Sequence, residues 1–470
     1  MPLEIIPAKD ALATRRTNKF NRWPRPNVDQ ERLSPIARPT AKPSFSLVPG
    51  EKVFTIGSCF ARNIERHLDA LGFDIPTKKW KTYRQLDHDV PSEFLNKYVT
   101  HSIHNELLWS LDPATPFPGT DALVEVSSEK WFDPHSTPTV PLAPLEIINR
   151  RRRKVQEITA DVVNCRVVVI TLGLVEAWYD RELDIYLNAP PPWSFLSRNA
   201  DRYELHVLEY NEILESLRNI HDVLTKFGHP DFKILITVSP VPLVLTFTNQ
   251  DVLQANMYSK SVLRAAAEAF VGTFENVDYF PSYESISLSE RSAAWEADNR
   301  HVQSDIVGVN IASMANTYLP EDDQSNFHFL LNIGKAYAHL GRRTEAADYF
   351  LKAKLINSLD PTLNHEMGVL YFQMGDYDAA NDFLQRSETV VGSSRFWRGL
   401  SLHRLGRFKE AVICLDLSIK KNSGWAPAYY HKAKAQKELG DLIGARASLE
   451  RSIEIKSDFE EATTFLAQIL

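Results

Sequence analysis

The sequence predicts an α/β domain built on a mostly parallel sheet, followed by an all-α repeat stack. Three observations carry that prediction. At 470 residues, with 44% apolar and 24% charged composition, the chain is too long for one hydrophobic core and has an ordinary globular balance. Over its first two thirds, short apolar runs rich in β-branched residues alternate with long amphipathic segments. From about residue 326, glycines recur at spacings of 34, 31 and 34 residues. The expected divisions are an extended arm over 1–43, the α/β domain over 44–322 and the repeats over 323–470.

The repeats are read from Gly341, Gly375, Gly406 and Gly440, each closing a first helix. Five residues after each stands Ala346, Ala380, Ala411 or Ala445, and seven before each stands Gly334, Gly368, Gly399 or Ala433. Two antiparallel helices joined by a tight turn need a glycine to end the first and small residues where the backbones cross. The spacing resembles the tetratricopeptide unit, and Tyr337, Tyr371, Phe350 and Ala353 fall where that family places its packing residues. Leucines replace Phe350 in repeats two to four, and the third repeat is three residues short. A final helix, Asp458 to Leu470, is expected to cap four repeats. The resemblance implies a protein partner bound through the repeats.

Ahead of the repeats, Val53–Ile56, Cys165–Leu172, Phe232–Val238 and Val277–Phe280 read as buried strands. Glu204–Phe227 and Val252–Phe270 carry apolar residues at helical spacing, and strands separated by helices imply a parallel sheet covered on both faces. Ser110–Pro144 is proline-rich and is expected to run over the sheet as part of a binding rim. The net charge of -7 gives no global attraction for nucleic acid or anionic lipid. The one basic run, Arg150–Lys154, is expected to be a solvated helix face, and the Arg-rich stretch from Arg15 to Arg25 a mobile arm. Cys59, Cys165 and Cys414 fit neither a disulfide framework nor a zinc spacing. No window reaches the roughly 18 apolar residues of a spanning helix, and the first 25 residues lack a secretory core, so a cytoplasmic protein without membrane contact is expected.

Chemistry is suggested in two places. Phe54-Thr55-Ile56-Gly57-Ser58-Cys59-Phe60-Ala61 runs from the first strand into a helix, which places Ser58 at the carboxyl end of a parallel sheet where such folds bind ligands. Near residue 300, Asp298 precedes His301 by three, so the carboxylate can hold one ring nitrogen and leave the other to take a proton. The block Gly57–Ala61 reads GSCFA, and the segment from about 45 to 320 resembles the GSCFA family, whose domain is similar to the three-layer SGNH hydrolases. Thr171–Trp178, Ser239–Leu243, Ser259–Ser261 with Arg264, and Tyr279–Glu284 also look like blocks of that family. The resemblance implies a triad of Ser58 as nucleophile, His301 as base and Asp298 as its orienting acid.

One departure stands out. The SGNH enzymes complete an oxyanion hole with a glycine amide and an asparagine side chain, whereas the block Gly173–Glu176 has no asparagine. Asn96, with the Ser58 and Gly173 amides, is the expected substitute, and Glu176 is expected to orient a substrate hydroxyl. Lys260 and Arg264, four apart on one helix face, are candidates for binding an anionic substrate. Cys59 is expected to pack into the core, and His101, His104 and Glu106 form too weak a set for a metal site. No metal or cofactor is expected. The activity implied is a serine-dependent ester hydrolase or O-acyltransferase acting on a small ester, such as an acetyl group on a carbohydrate. The competing reading is a non-catalytic scaffold in which a degenerate domain binds ligand and the repeats hold a partner.

Overall fold

The four apolar runs pair as one parallel sheet in the computed structural model, which describes residues 2–25, 28–84, 87–319 and 323–469. Strands Val53–Gly57, Val167–Leu172, Lys233–Val238 and Val277–Tyr279 lie side by side in chain order. Gly57 pairs with Thr171 and Leu172 with Val238, so the carboxyl ends of the first three strands form one rim. Helices cover both faces, which is why these runs are continuously apolar rather than alternating. Phe54 and Ile56 join Ile213, Leu217, Leu263 and Phe270 of the Tyr210–Phe227 and Val252–Val271 helices in the main core. Thr55, facing the other way, is hydrogen-bonded to Glu65 of the Cys59–Ala70 helix.

Several expectations are corrected. Glu204–Phe227 is not one helix: Tyr203–Val207 is a strand, pairing antiparallel with Glu176–Asp180, which also pairs with Ile185–Tyr186. Tyr203, Leu205 and Val207 alternate with period two, and the helix begins only at the Glu209–Glu212 capping box. The rim segment holds a hairpin, Val124–Ser127 with Lys130–Phe132. The arm is not uniformly extended. Ala8–Thr17 is a helix that buries nothing, while Ile36 and Ala37 are buried, with the Ala37 amide on Ser289 Oγ (2.8 Å) and its carbonyl on Ser285 Oγ (2.7 Å).

The basic run is only in part a solvated face: Arg150 and Arg153 are exposed, but the two arginines between them are not. Arg151 and Arg152 are buried on the Leu145–Ala160 helix, Arg151 in a two-bond pair with Asp87 (2.9 and 3.1 Å). Arg152 bonds Glu106 and lies 3.3 Å from Asp133, and Lys97 Nζ lies 2.7 Å from the other Glu106 oxygen. Burial alone would push the Glu106 carboxyl up, but Arg152 and Lys97 outweigh it and hold the group below its ordinary value.

The chain divides into two compact units, Met1–Ser325 and Asn326–Leu470; residues 320–322, where the expected boundary lies, are outside the described residues. The second unit is helical hairpins, from Arg343–Ile356 through Leu442–Ile455, closed by Glu460–Ile469. Gly341, Gly375, Gly406 and Gly440 all have φ between +72° and +86°, the left-handed turn that a glycine makes without strain. The upstream glycines are packing residues. A Cβ on Gly334 would lie 2.5 Å from the Phe350 ring, and one on Gly368 2.5 Å from Leu384 Cγ. Gly368→Ala is therefore expected to lower stability in urea unfolding by about 1–3 kcal/mol of overpacking, partly offset by up to ~1 kcal/mol of helix propensity. A stabilised variant would mean the hairpin can open at no cost. No helix among the described residues is long and apolar enough to cross a membrane.

Candidate active site

Two glycines shape the rim around Ser58. Gly57 has φ +131°, and a side chain there would collide with Thr171 of the adjoining strand. At Gly173 a Cβ would sit 2.6 Å from the Tyr98 carbonyl and 3.3 Å from Ser58 Cβ, so the close approach of that backbone to Ser58 needs glycine. Ser58 caps the Cys59–Ala70 helix. Its buried hydroxyl accepts from the Phe60 amide (3.3 Å) and lies 3.3 Å from Thr171 Oγ1. Its own amide donates to the Thr171 carbonyl (3.2 Å), which removes it from the expected oxyanion set. The Gly173 amide donates to no backbone group among the described residues, and the Cys59 amide, in the first helical turn, faces its own thiol.

Ser58, Gly173 and Glu176 line one cavity of about 580 Å³. Cys59 lines it too and is half-buried, a correction to its expected place in the core. As the first helical residue it turns toward the rim rather than the sheet. Burial raises its thiol, against the opposing pull of Arg300 and Lys260. Asn96 does not line the cavity: it is fully buried, and neither side-chain polar atom has a hydrogen-bond partner within bonding geometry among the described residues. Asn188 does line it, but its amide nitrogen is spent on the Asn96 (2.9 Å) and Ser136 (2.8 Å) carbonyls. The Glu176 carboxylate accepts from Thr246 Oγ1 (2.5 Å) and the Phe247 amide (2.9 Å), which anchors that loop.

Asp298 and His301 meet as the spacing requires, Oδ2 to Nδ1 at 2.5 Å, leaving Nε2 without a partner among the described residues. The His301 and Arg300 amides, then the imidazole, hold the Asp298 carboxyl down at about 2. Asn299, with φ 58°, makes the turn that brings them together. Both side chains are exposed, and His301 is neither bonded to Ser58 nor among the cavity-lining residues; its neighbour Arg300 is. Consecutive residues of this loop thus point to opposite sides. Glu296 joins the pair in a set whose ligand atoms lie within 4.8 Å of one another, all exposed. His101 packs at a tilt against Tyr186 and Glu106 is committed to two cations, so the His101-His104-Glu106 set has no free carboxylate.

Lys260 and Arg264 do not form an anion-binding face. Arg264 is held by Glu284 (2.7 Å) and Glu268 (2.6 Å) and lies over the Tyr279 ring. Lys260 is fully buried, its Nζ donating to the Gly173 carbonyl (2.8 Å), and burial pushes its ammonium down to about 7. Between pH 7 and the ordinary value of 10.5 the unfolded chain holds this proton and the folded chain does not, so stability rises with pH across that window. Urea unfolding should show the rise, and Lys260→Met should flatten it; an unchanged slope would show that Lys260 titrates normally.

Residues 52–313, more than half of the chain, match the model of the GSCFA family. The chain belongs to the GSCFA family. Residues 327–358 and 426–459 match the tetratricopeptide repeat, which makes the second unit of this GSCFA protein a repeat module of the protein-interaction type. No curated protein matches the chain. Among solved structures it is similar to MamA 41-end from Desulfovibrio magneticus RS-1, 18% identical at a TM-score of 0.30, covering 31% of this chain and 83% of that one. It is also similar to YrrB, described as a TPR protein with an unusual peptide-binding site, at 21% identity and a TM-score of 0.30, covering 34% and 82%. The first TPR domain of human RPAP3 is 27% identical at a TM-score of 0.23, covering 23% and 88%.

Arg300 and Cys59 were not among the residues expected at the site. Arg300 stands inside the Asp298–His301 block, and the alternation of a short loop would have pointed it to the side opposite His301.

Proposed function

We propose that the GSCFA domain is a serine-dependent ester hydrolase or acyltransferase, and that the repeats hold a protein partner. The observation that carries this reading is the shared cavity. Ser58 and Gly173 line it with Arg300, the immediate neighbour of a His301 already held through Nδ1 by Asp298. In the proposed reaction the loop turns His301 Nε2 toward Ser58, apo geometry being commonly looser than that of the reacting complex. Ser58 Oγ attacks the acyl carbon as its proton passes to Nε2. The C–O bond to the leaving alcohol breaks, and the alcohol takes that proton from His301. Water, or a carbohydrate hydroxyl in a transferase, then attacks the acyl-Ser58 and gives its proton to His301; the acyl–Oγ bond breaks and Ser58 Oγ takes that proton back, which regenerates the free serine. The Gly173 and Cys59 amides, at a helix N-terminus, are the donors proposed for the oxyanion. The carbohydrate acceptor rests on similarity to SGNH relatives, and three unpaired cysteines support a cytoplasmic location.

A second reading, a ligand-binding scaffold without catalysis, is favoured by one observation: the Ser58 hydroxyl bonds Thr171 and Phe60 rather than His301. Hydrolysis of chromogenic esters separates the two. Turnover that saturates with substrate and is lost in both Ser58→Ala and His301→Ala supports the enzyme; turnover indifferent to both changes leaves the scaffold.

A further inference from the structure

The cavity is larger and more apolar than an acetyl ester requires. An acetyl methyl is close in size to one water, about 30 Å³, against a cavity of about 580 Å³. Its walls are Leu187, Val241, Leu243, Leu245, Trp178 and Phe247. Trp178 and Phe247 meet edge to face at 5.3 Å, and Trp193, 58% exposed, stands 5.5 Å from Phe247. A site of this size and lining buries a ligand with a substantial apolar body.

The polar groups in the lining point to where the other end of such a ligand sits. Arg300 Nε is shielded from solvent and has no hydrogen-bond partner, and Arg300 makes no ion pair among the described residues. The hydroxyl of Ser239, a lining residue only 1% exposed, also has no partner among the described residues. The one lining carboxylate, Glu176, is already bonded through both oxygens. Lys260 Nζ lies behind Gly173 on its carbonyl, so Arg300 is the charge this rim offers a ligand, and it opposes the effect of burial on the Cys59 thiol. A shielded donor left unpaired is costly, and a guanidinium is suited to a carboxylate.

We propose that this cavity binds an apolar acyl chain of medium length, with its carboxyl end on Arg300 and Ser239 and its chain among Trp178, Leu245 and Phe247. This rests on the ester reading for its place in the reaction: the same Arg300 that holds a product carboxylate would face the charge developing on the acyl oxygen. Binding itself does not depend on turnover, so the two are tested apart.

The test is calorimetric titration of the full chain with acetate, octanoate and octanol. Octanoate is expected to bind at least about tenfold more tightly than either, since acetate lacks the chain and octanol the charge. Ser58→Ala should bind octanoate as the wild type does, and Arg300→Met should bind it at least about tenfold more weakly while keeping its weaker affinity for octanol. Acetate binding as well as octanoate, octanol equalling octanoate, or no octanoate binding would overturn the proposal. So would an Arg300→Met variant that binds octanoate normally. Should that variant fail to fold, the three wild-type titrations still decide. Octanoate binding without ester turnover would retain the acyl site and reject the enzyme.

Discussion

Ser58→Ala is expected to lower kcat/KM for a chromogenic octanoate ester by about 10³-fold or more, with His301→Ala falling to a similar level. The size of the effect follows from the roles proposed: without the hydroxyl no acyl-enzyme forms, and without the imidazole the hydroxyl is a poor nucleophile near neutral pH. Because the two act as one unit, the double variant should lose no more than the worse single variant. Losses that multiply would show two independent contributions and contradict the pair. Ser58 also caps its helix through the Phe60 amide, so alanine there costs about 1 kcal/mol of stability, whereas glycine costs only a few tenths. Ser58→Gly is the control: it should be as inactive as Ser58→Ala but closer to wild type in unfolding. Asp298, held at about 2 by the His301 and Arg300 amides and the imidazole, stays ionised wherever the protein is assayed, so no acid limb in the rate profile should trace to it.

Glu106→Ala is expected to destabilise the first unit by about 3–5 kcal/mol, the largest stability effect anticipated outside the repeats. The carboxylate lies between Lys97 and Arg152, all three nearly inaccessible, and removing it leaves two buried cations facing each other with Asp133 as the remaining counter-charge among the described residues. The folded chain holds Glu106 below its ordinary 4.5. Its contribution is therefore complete above about 4.5 and is lost as the pH falls through the lower folded value. Urea unfolding across that range should show a steep acid limb in the wild type and a shallower one in Glu106→Gln. A variant as stable as the wild type would mean the two cations find water or other partners.

Much of the scaffold was legible because its signals are local. A β-branched run such as Val167–Leu172 can only be a strand buried on both faces, and the glycines ending each first repeat helix sit where the turn requires positive φ. Ser58 at the strand–helix junction and the Asp298–His301 contact followed from spacing alone, since each depends on a few adjacent residues. What was not legible depends on partners far along the chain. Arg151 and Arg152 look like a solvated face until Asp87, Glu106 and Asp133 are brought to them. Asn96 looks like a free donor until Asn188 bonds its carbonyl and the fold buries its side chain. Lys260 looks like a surface cation until the Gly173 carbonyl is found above it. The direction of Cys59 turned on a single helical position, and the rim aromatics Trp178 and Phe247 come from segments distant in the chain that the Glu176 bonds and their own ring contact bring together.

The central claim, that Ser58 is the nucleophile, is tested most directly by treating the full chain with a fluorophosphonate ester and locating the adduct by peptide mass spectrometry. One label per chain is expected, on Ser58, absent in Ser58→Ala, slowed in His301→Ala and blocked by octanoate. No label on the wild type, or a label carried by Cys59 and unaffected by Ser58→Ala, would contradict it.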